Sequence, residues 1–221
     1  MDYHTRTNPN TRRLTLRLDK TGMPVVTTPR FIPQWIISRF VNSHSDWITT
    51  HQQQLRQNRQ RFLSDSSVTI FGKDYQLNIK SALGASKVTI QERTVRIDIH
   101  QARTNETSAK ILLEKFLKNT ASHYLVPRIH GLAKLMKVDF KKITLRAQTT
   151  RWGSCSSAGG LNFNWKLVHF PPEIIDYVIV HELAHRKHLD HSAKFWQYVK
   201  RYDPEYLLHR GWLKRQGIGV V

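Results

Sequence analysis

The stretch PPEIIDYVIVHELAHRKH, residues 171–188, constrains the fold more than any other part of the chain. Its apolar residues occupy nearly every side of a helix, a pattern typical of a helix that is buried all round. Two prolines at the start and Glu173 in the first turn are typical of a helix N-terminus. His181, Glu182 and His185 nevertheless lie within this apolar segment, and burying them is unfavourable unless they are paired or bind a metal.

The spacing of these three residues matches the pattern H-E-x-x-H. Residues four apart lie on one face of an α-helix, so the imidazoles of His181 and His185 can bind one ion. Neutral imidazole is a common zinc ligand, and zinc (Zn2+) lowers the pKa of a bound water towards neutrality. A carboxylate beside the ion can take a proton from that water, so we predict Glu182 as the catalytic general base.

A catalytic zinc site needs a third protein ligand and one open position. His188 lies on the same helical face but about 10 Å along the axis from His181, too far for one ion on a straight helix. His191 follows Leu189 and Asp190, where the chain can turn back towards the metal. We therefore predict His181, His185 and His191 as the ligands, and consider Cys155 a less favoured alternative.

The remainder of the chain divides into two parts by pattern. Residues 1–102 are predicted to be a β-rich, basic N-terminal region with one inserted helix, and residues 103–221 a mixed domain that contains the histidine helix. The predicted segments are a hairpin at 12–28, a helix from Pro33 into the Gln-rich stretch near 60, strand pairs at 67–80 and 87–100, one or two helices at 106–136, a strand at 141–148, a loop at 151–160, a strand at 161–165 and helix from about 192. These elements predict an α+β protein.

The net charge is unusually positive, at +19, and it is divided as +8 in residues 1–102 and +11 in residues 103–221. Such a charge favours non-specific contact with DNA or RNA, although a generally basic surface gives the same composition. The candidate basic clusters are Arg56, Arg59 and Arg61, and Lys200, Arg201, Lys214 and Arg215. We find no apolar run long enough for a membrane span and no secretory signal, so we expect no membrane partner and a soluble, cytoplasmic protein.

The segment TRWGSCSSAGGLNFNWKLVHFPPEIIDYVIVHELAHRKHLDHSAKFW resembles the YgjP-like metallopeptidase family and is similar to the WLM and Spartan/SprT-like zinc proteases. The motifs R-W-G-S-C, N-W-K-L, H-E-L-A-H and H-S-x-x-F-W occur in order. The resemblance implies a zincin-like domain, with His181, His185 and His191 as metal ligands and Glu182 as catalytic acid/base. It also implies an edge strand above the metal for an extended peptide, for which KITLRAQ and LNFNW are the candidates. His188 stands where a metzincin would have glycine, so the chain is not assigned to that group.

We therefore expect a zinc metallopeptidase that hydrolyses peptide bonds in a protein or peptide substrate. Two alternatives use the same residues: a metal-dependent nucleotide phosphohydrolase, and a nucleic-acid-binding module with a structural metal. Intact Glu182 argues against the last of these. Several residues remain candidates for a position at the cleft without an assigned role: Arg151, Trp152, Cys155, Tyr206, His209 and Arg210.

Overall fold

The computed structural model describes residues 2–19, 22–62, 66–100, 106–148 and 150–216, and side chains 54–62 and 106–107 lie outside the described part. The strands are β1 His4–Thr7, β2 Thr15–Leu18, β3 Pro24–Thr28, β4 Ser67–Ile70, β5 Lys73–Ala82, β6 Lys87–Gln91, β7 Thr94–His100, β8 Lys142–Arg146, β9 Gly153–Cys155 and β10 Gly160–Asn164. The helices are α1 Gln34–Asn42, α2 Ser45–Phe62, α3 Glu106–Met136, α4 Pro172–Ala184, α5 Ala193–Tyr202 and α6 Tyr206–Arg215. A 3₁₀ helix, Trp165–His169, precedes α4. The predicted α+β class is confirmed.

The chain forms two compact units, residues 1–60 and residues 61–221. In the first unit β3 pairs with β1 in parallel and with β2 in an antiparallel hairpin, as the sequence predicts for residues 12–28. Val26 of this sheet is buried with Ile37 and Val41 of α1 and Ile48 of α2. One helix is predicted from Pro33 onwards, but the structure has two, because the helix is interrupted at Ser43 and His44.

The second unit contains a four-stranded sheet in the order β4-β5-β7-β6, in which both predicted strand pairs are antiparallel. Strand β7 packs against the long helix α3, which continues without interruption through Pro127. The buried residues of β4, β7, α3 and α4 belong to one hydrophobic core. The sequence division at residues 102 and 103 therefore differs from the structural division, since this sheet shares its core with the histidine helix.

The β4–β5 hairpin docks onto the segment that leads into α4. Its turn places Phe71 and Gly72 at φ angles of 50° and 74°, and the amide of Phe71 donates to the carbonyl of Val168 over 2.7 Å. A Cβ on Gly72 would lie 2.9 Å from Pro171 Cγ, so glycine is required both by the turn and by the close approach. This contact holds the start of α4 against the sheet.

A second three-stranded sheet has the order β8-β10-β9, with β8 parallel and β9 antiparallel to the central strand β10. Residues 153–155, predicted as part of a loop, are a strand, because they pair with residues 161–163 of β10. Helix α4 is buried along most of its length and contacts α3, α5, α6 and β9. Within the described residues, no helix has both the length and the apolar character to span a membrane.

His169 gives the second unit a pH-dependent stability. Its ring is buried, and Nδ1 donates to the carbonyl of Thr69 over 2.7 Å. Burial lowers the pKa of His169 to about 4, an effect that the Thr69 carbonyl opposes and nearby Lys166 reinforces. Because the unfolded chain binds this proton at a pKa near 6.5, stability is intact above about pH 6.5 and is lost as the pH falls towards 4.

We predict that His169→Asn, which retains an N–H donor, makes unfolding less pH-dependent. Between pH 7 and pH 5 the wild-type protein should lose about 2 kcal/mol more unfolding free energy than the variant. Urea unfolding of both proteins in EDTA measures this difference, since the cluster histidines contribute equally to both. Parallel pH profiles for the two proteins would contradict it.

Candidate metal centre

Three imidazoles meet beside the C-terminal end of α4. The ligand nitrogens of His181, His185 and His191 all lie within 4.8 Å of one another, and Nε2 of His181 is 3.2 Å from Nε2 of His191. These are the three residues predicted from the sequence. His188 is outside the cluster, and its ring lies against Tyr198 with ring centroids 5.7 Å apart.

The end of the helix brings His191 back to the other two histidines. Helix α4 ends at Ala184 with His185 as its C-cap, and the amides of residues 186–188 donate back to carbonyls of its last turn. Helix α5 then starts after Ser192, the predicted N-cap position, although the Ser192 side chain makes no capping bond. The helix thus stops before His188, and the short connection returns His191 to the face that holds His181.

Arg186 fixes the conformation of this turn. Its Nε donates to the carbonyl of Asp139 over 2.9 Å, and Nη1 lies 3.1 Å from the carbonyl of Ser157 and 3.3 Å from that of Ser156. Three main-chain carbonyls thus hold the residue next to His185. This arginine is not among the residues predicted from the sequence, because the carbonyls it contacts are distant in the chain.

His188 contributes through its main chain. The carbonyl of His188 lies 3.1 Å from Nδ1 of His185, and since a carbonyl only accepts, Nδ1 of His185 carries the proton. The lone pair of His185 is therefore on Nε2, the tautomer that a second hydrogen-bonded group selects in metal-binding histidines. His188 thus orients His185 and does not join the nitrogen cluster.

Aromatic side chains pack against the histidine cluster. Phe195 is fully buried, and its ring centroid lies 4.7–5.0 Å from those of all three histidines. Trp196 stacks on His191 with centroids 5.6 Å apart, and the guanidinium of Arg210 lies 4.5 Å from the centre of the Trp196 ring. Phe195 belongs to the hydrophobic core and Trp196 is partly buried against it, so both rings enclose the cluster.

This environment keeps the imidazoles neutral. Burial lowers the pKa of His181 to about 3, and the neighbouring His185, His191 and Arg210 lower it further. Burial is also the main reason why the pKa values of His185 and His191 are lowered. Neutral imidazoles expose lone pairs at neutral pH, which is the form that binds metal ions.

Glu182 follows His181 in α4 and lies against strand β9. A Cβ built on Gly153 of β9 would be 2.5 Å from Oε1 of Glu182 and 2.6 Å from its Cγ. Burial raises the pKa of the Glu182 carboxyl to about 8, while the positive charge of Arg151 acts in the opposite direction. A carboxyl with a pKa near neutrality can both accept and donate a proton.

The strand beside Glu182 differs from the two candidates named from the sequence. The first four residues of LNFNW lie in the central strand β10, and KITLRAQ contains β8, which β10 separates from β9. The edge next to Glu182 is β9, which lies in the segment predicted as a loop. Its only pairing partner among the described strands is β10, so its outer edge is unpaired within the described structure.

The other candidate residues take different positions. Trp152 is buried against Phe170 with ring centroids 4.4 Å apart, and Cys155 is not part of the nitrogen cluster. His209 Nδ1 lies 2.9 Å from Oδ2 of Asp203. The side chains of Arg56, Arg59 and Arg61 lie outside the described residues, whereas those of the second predicted basic cluster are exposed at the ends of α5 and α6.

A buried helix that presents converging neutral imidazoles and a protonatable carboxyl is the arrangement of a metallohydrolase. The chain matches the YgjP-like metallopeptidase domain over residues 12–216. It therefore belongs to the YgjP-like metallopeptidase family, as its motifs predict, and membership implies a bound metal ion.

Two solved structures are similar to part of the chain. The metallopeptidase zymogen of Pyrococcus abyssi abylysin is 18% identical with a TM-score of 0.41, over 44% of this chain and 99% of that chain. The metallopeptidase zymogen of Methanocaldococcus jannaschii jannalysin is 20% identical with a TM-score of 0.36, over 41% of this chain and 95% of that chain. No curated protein matches the chain.

The contact between Gly153 and Glu182 predicts the effect of one methyl group. In Gly153→Ala the new Cβ would displace the Glu182 carboxyl, and a misplacement of about 1 Å lowers catalytic rates by about 100-fold. Metal content should be unchanged, because none of the three histidines moves. Gly84→Ala is the matched control, since a Cβ at Gly84 has no neighbour within 4 Å. Equal peptidase activity in the two variants would show that the contact is unimportant.

Proposed function

We propose that the protein is a zinc-dependent metallopeptidase in which His181, His185 and His191 hold the ion and Glu182 is the catalytic acid/base. The observation that carries the proposal is the convergence of the three imidazole nitrogens within 4.8 Å of one another, with the buried Glu182 next to His181 in α4. Tetrahedral Zn–N bonds of about 2.0–2.1 Å place ligand nitrogens about 3.3 Å apart. The 3.2 Å between His181 and His191 fits this separation, and three protein ligands leave the fourth position open.

The three imidazole nitrogens are ligand atoms that zinc prefers. Imidazole also suits copper, nickel and iron, but three neutral nitrogens with an adjacent carboxyl and one open position are typical of hydrolytic zinc sites. When bound, zinc supplies Lewis acidity, which polarises a carbonyl and makes a water molecule easier to deprotonate.

Glu182 performs the proton transfers in the proposed reaction. Its carboxylate takes a proton from the attacking water, which adds to the carbonyl carbon of the scissile peptide bond. The same carboxyl then delivers that proton to the leaving amine nitrogen as the C–N bond breaks. An extended substrate can pair with the outer edge of β9, which would place its main chain beside Glu182.

The ligand assignment predicts which histidine variants lose zinc. His191→Ala should bind zinc much more weakly, as should His181→Ala and His185→Ala, because a three-point site is reduced to two. His188→Ala should retain zinc, because its main-chain carbonyl still orients His185. Competition with a fluorescent zinc chelator measures the four affinities, and a larger loss for His188→Ala than for His191→Ala would overturn the assignment.

Glu182→Gln separates binding from chemistry. The variant should fold and hold one zinc per chain, but its peptide hydrolysis should fall by about 10² to 10⁴-fold because the general base is absent. Casein and nucleotide substrates assayed side by side with the wild type test the reaction class. Turnover of nucleotides but not casein would replace the peptidase proposal with the phosphohydrolase alternative.

A further inference from the structure

A concave site lies between α3 and strand β8, the edge of the sheet β8-β10-β9 that is farther from Glu182. This groove, here called the α3–β8 groove, has a volume of about 720 Å³. One wall is a single ridge of α3, formed by residues at intervals of four: Lys118, Ser122, Val126 and His130. The opposite wall is formed by residues 140–143 and 145–147, and Trp165 completes the lining.

The groove follows the edge of strand β8 and not one of its faces. Successive side chains of a strand point to opposite faces, so a cavity on one face would be lined by every second residue. Lys142 and Ile143 are consecutive and both line the groove, as are Leu145 and Arg146. Among the described strands β8 pairs with β10 alone, so its outer N–H and C=O groups are open to an added strand.

The lining is strongly basic. Its cations are Lys118, Lys141, Lys142 and Arg146, and its described members include no carboxylate. Lys118 forms an ion pair with Glu114 over 2.7 Å. Within the described structure no carboxylate pairs with Lys141, Lys142 or Arg146, so these three cations favour an anionic occupant.

The aromatic groups favour a peptide over a nucleic acid. Trp165 is only 7% exposed, and Phe140 is partly buried with its ring against His130, so little aromatic face remains for base stacking. An open strand edge, in contrast, offers alternating donors and acceptors at the spacing of another peptide main chain.

The groove is distinct from the metal centre. It borders β8, whereas Glu182 lies under β9, and the two edges are separated by β10 and so by about 10 Å. None of the three clustered histidines and no part of β9 lines the groove. An occupant of the groove can therefore be bound while the peptide bond at Glu182 is free to react.

We propose that the α3–β8 groove is an exosite that binds an acidic, extended segment of a protein substrate as an additional strand on β8. The role as an exosite rests on the proposed peptidase function, because it assumes that the same protein is cleaved at Glu182. Binding of the acidic segment itself requires neither zinc nor catalysis.

Fluorescence anisotropy with a labelled ten-residue peptide, Glu alternating with Val, tests the binding. The double variant Lys142→Glu/Arg146→Glu should bind this peptide at least about tenfold more weakly, because two attractive contacts become repulsive. Lys73→Glu/Lys80→Glu is the matched control, since it makes the same charge change on exposed residues of β5 and should bind nearly as wild type. Equal affinity of the two double variants would overturn the proposal.

Strand addition is tested with two further peptides, N-methylated on alternate sets of amides. A peptide strand bonds to an edge through every second residue, so one methylated peptide should lose binding and the other should retain it. Equal binding of both would exclude addition to β8. An oligothymidine of similar length that binds the groove more tightly than the acidic peptide would show that the occupant is a nucleic acid and the proposal wrong.

The same variants distinguish failure of the exosite from failure of the peptidase proposal. Zinc-loaded Glu182→Gln should bind the acidic peptide as wild type does, whatever its activity. The groove variant should retain zinc and the kcat/KM for a short neutral peptide, but its KM for a protein substrate with an acidic segment should rise. An unchanged KM would remove the exosite and leave the peptidase intact.

Discussion

The structure of the second unit depends on burying helix α4 together with the imidazole of His181 and the carboxyl of Glu182. The helix is covered by α3, α5, α6 and β9, so its polar side chains have little contact with water. Burial of charged groups is strongly unfavourable. It therefore lowers the pKa of His181 and raises the pKa of Glu182, and both shifts favour the neutral form of the side chain. The same shifts leave lone pairs for a metal and a carboxyl able to exchange protons, so packing and chemistry have one physical origin.

The end of α4 matters as much as its interior. A helix that continued to His188 would carry the chain away from His181 at 1.5 Å per residue. The helix instead ends at Ala184, and Arg186 holds the following turn through main-chain carbonyls on two other segments. His191 and Phe195 then return to the cluster from the next element. The site is therefore formed by a helix, a turn and a second helix whose relative positions are held by contacts outside the site.

The sheet β8-β10-β9 has two edges of different character. Strand β9 is short, and its glycine allows the main chain to lie directly against Glu182. Strand β8 lies across β10 from the site and is bordered by cations and a ridge of α3. One small sheet thus offers one edge beside Glu182 and one charged edge, and the distance between them is set by the single central strand.

Local patterns in the sequence determined the α+β class, the H-E-x-x-H helix and its three converging histidines. These features could be predicted because helical spacing, the alternation of apolar and polar residues in strands, and the short segment between His185 and His191 all depend on residues close together in the chain. The sequence did not determine the strand at Gly153, the anchoring of Arg186, the break at Ser43, or the shared core that places residues 61–100 with the histidine helix. Those features depend on contacts between segments that are not adjacent in the chain. Gly153 is part of a strand because it pairs with Phe163, and the side chain of Arg186 is held by the main-chain carbonyl of Asp139. Only the tertiary structure brings such partners together, and it alone decided which sheet edge lies beside Glu182.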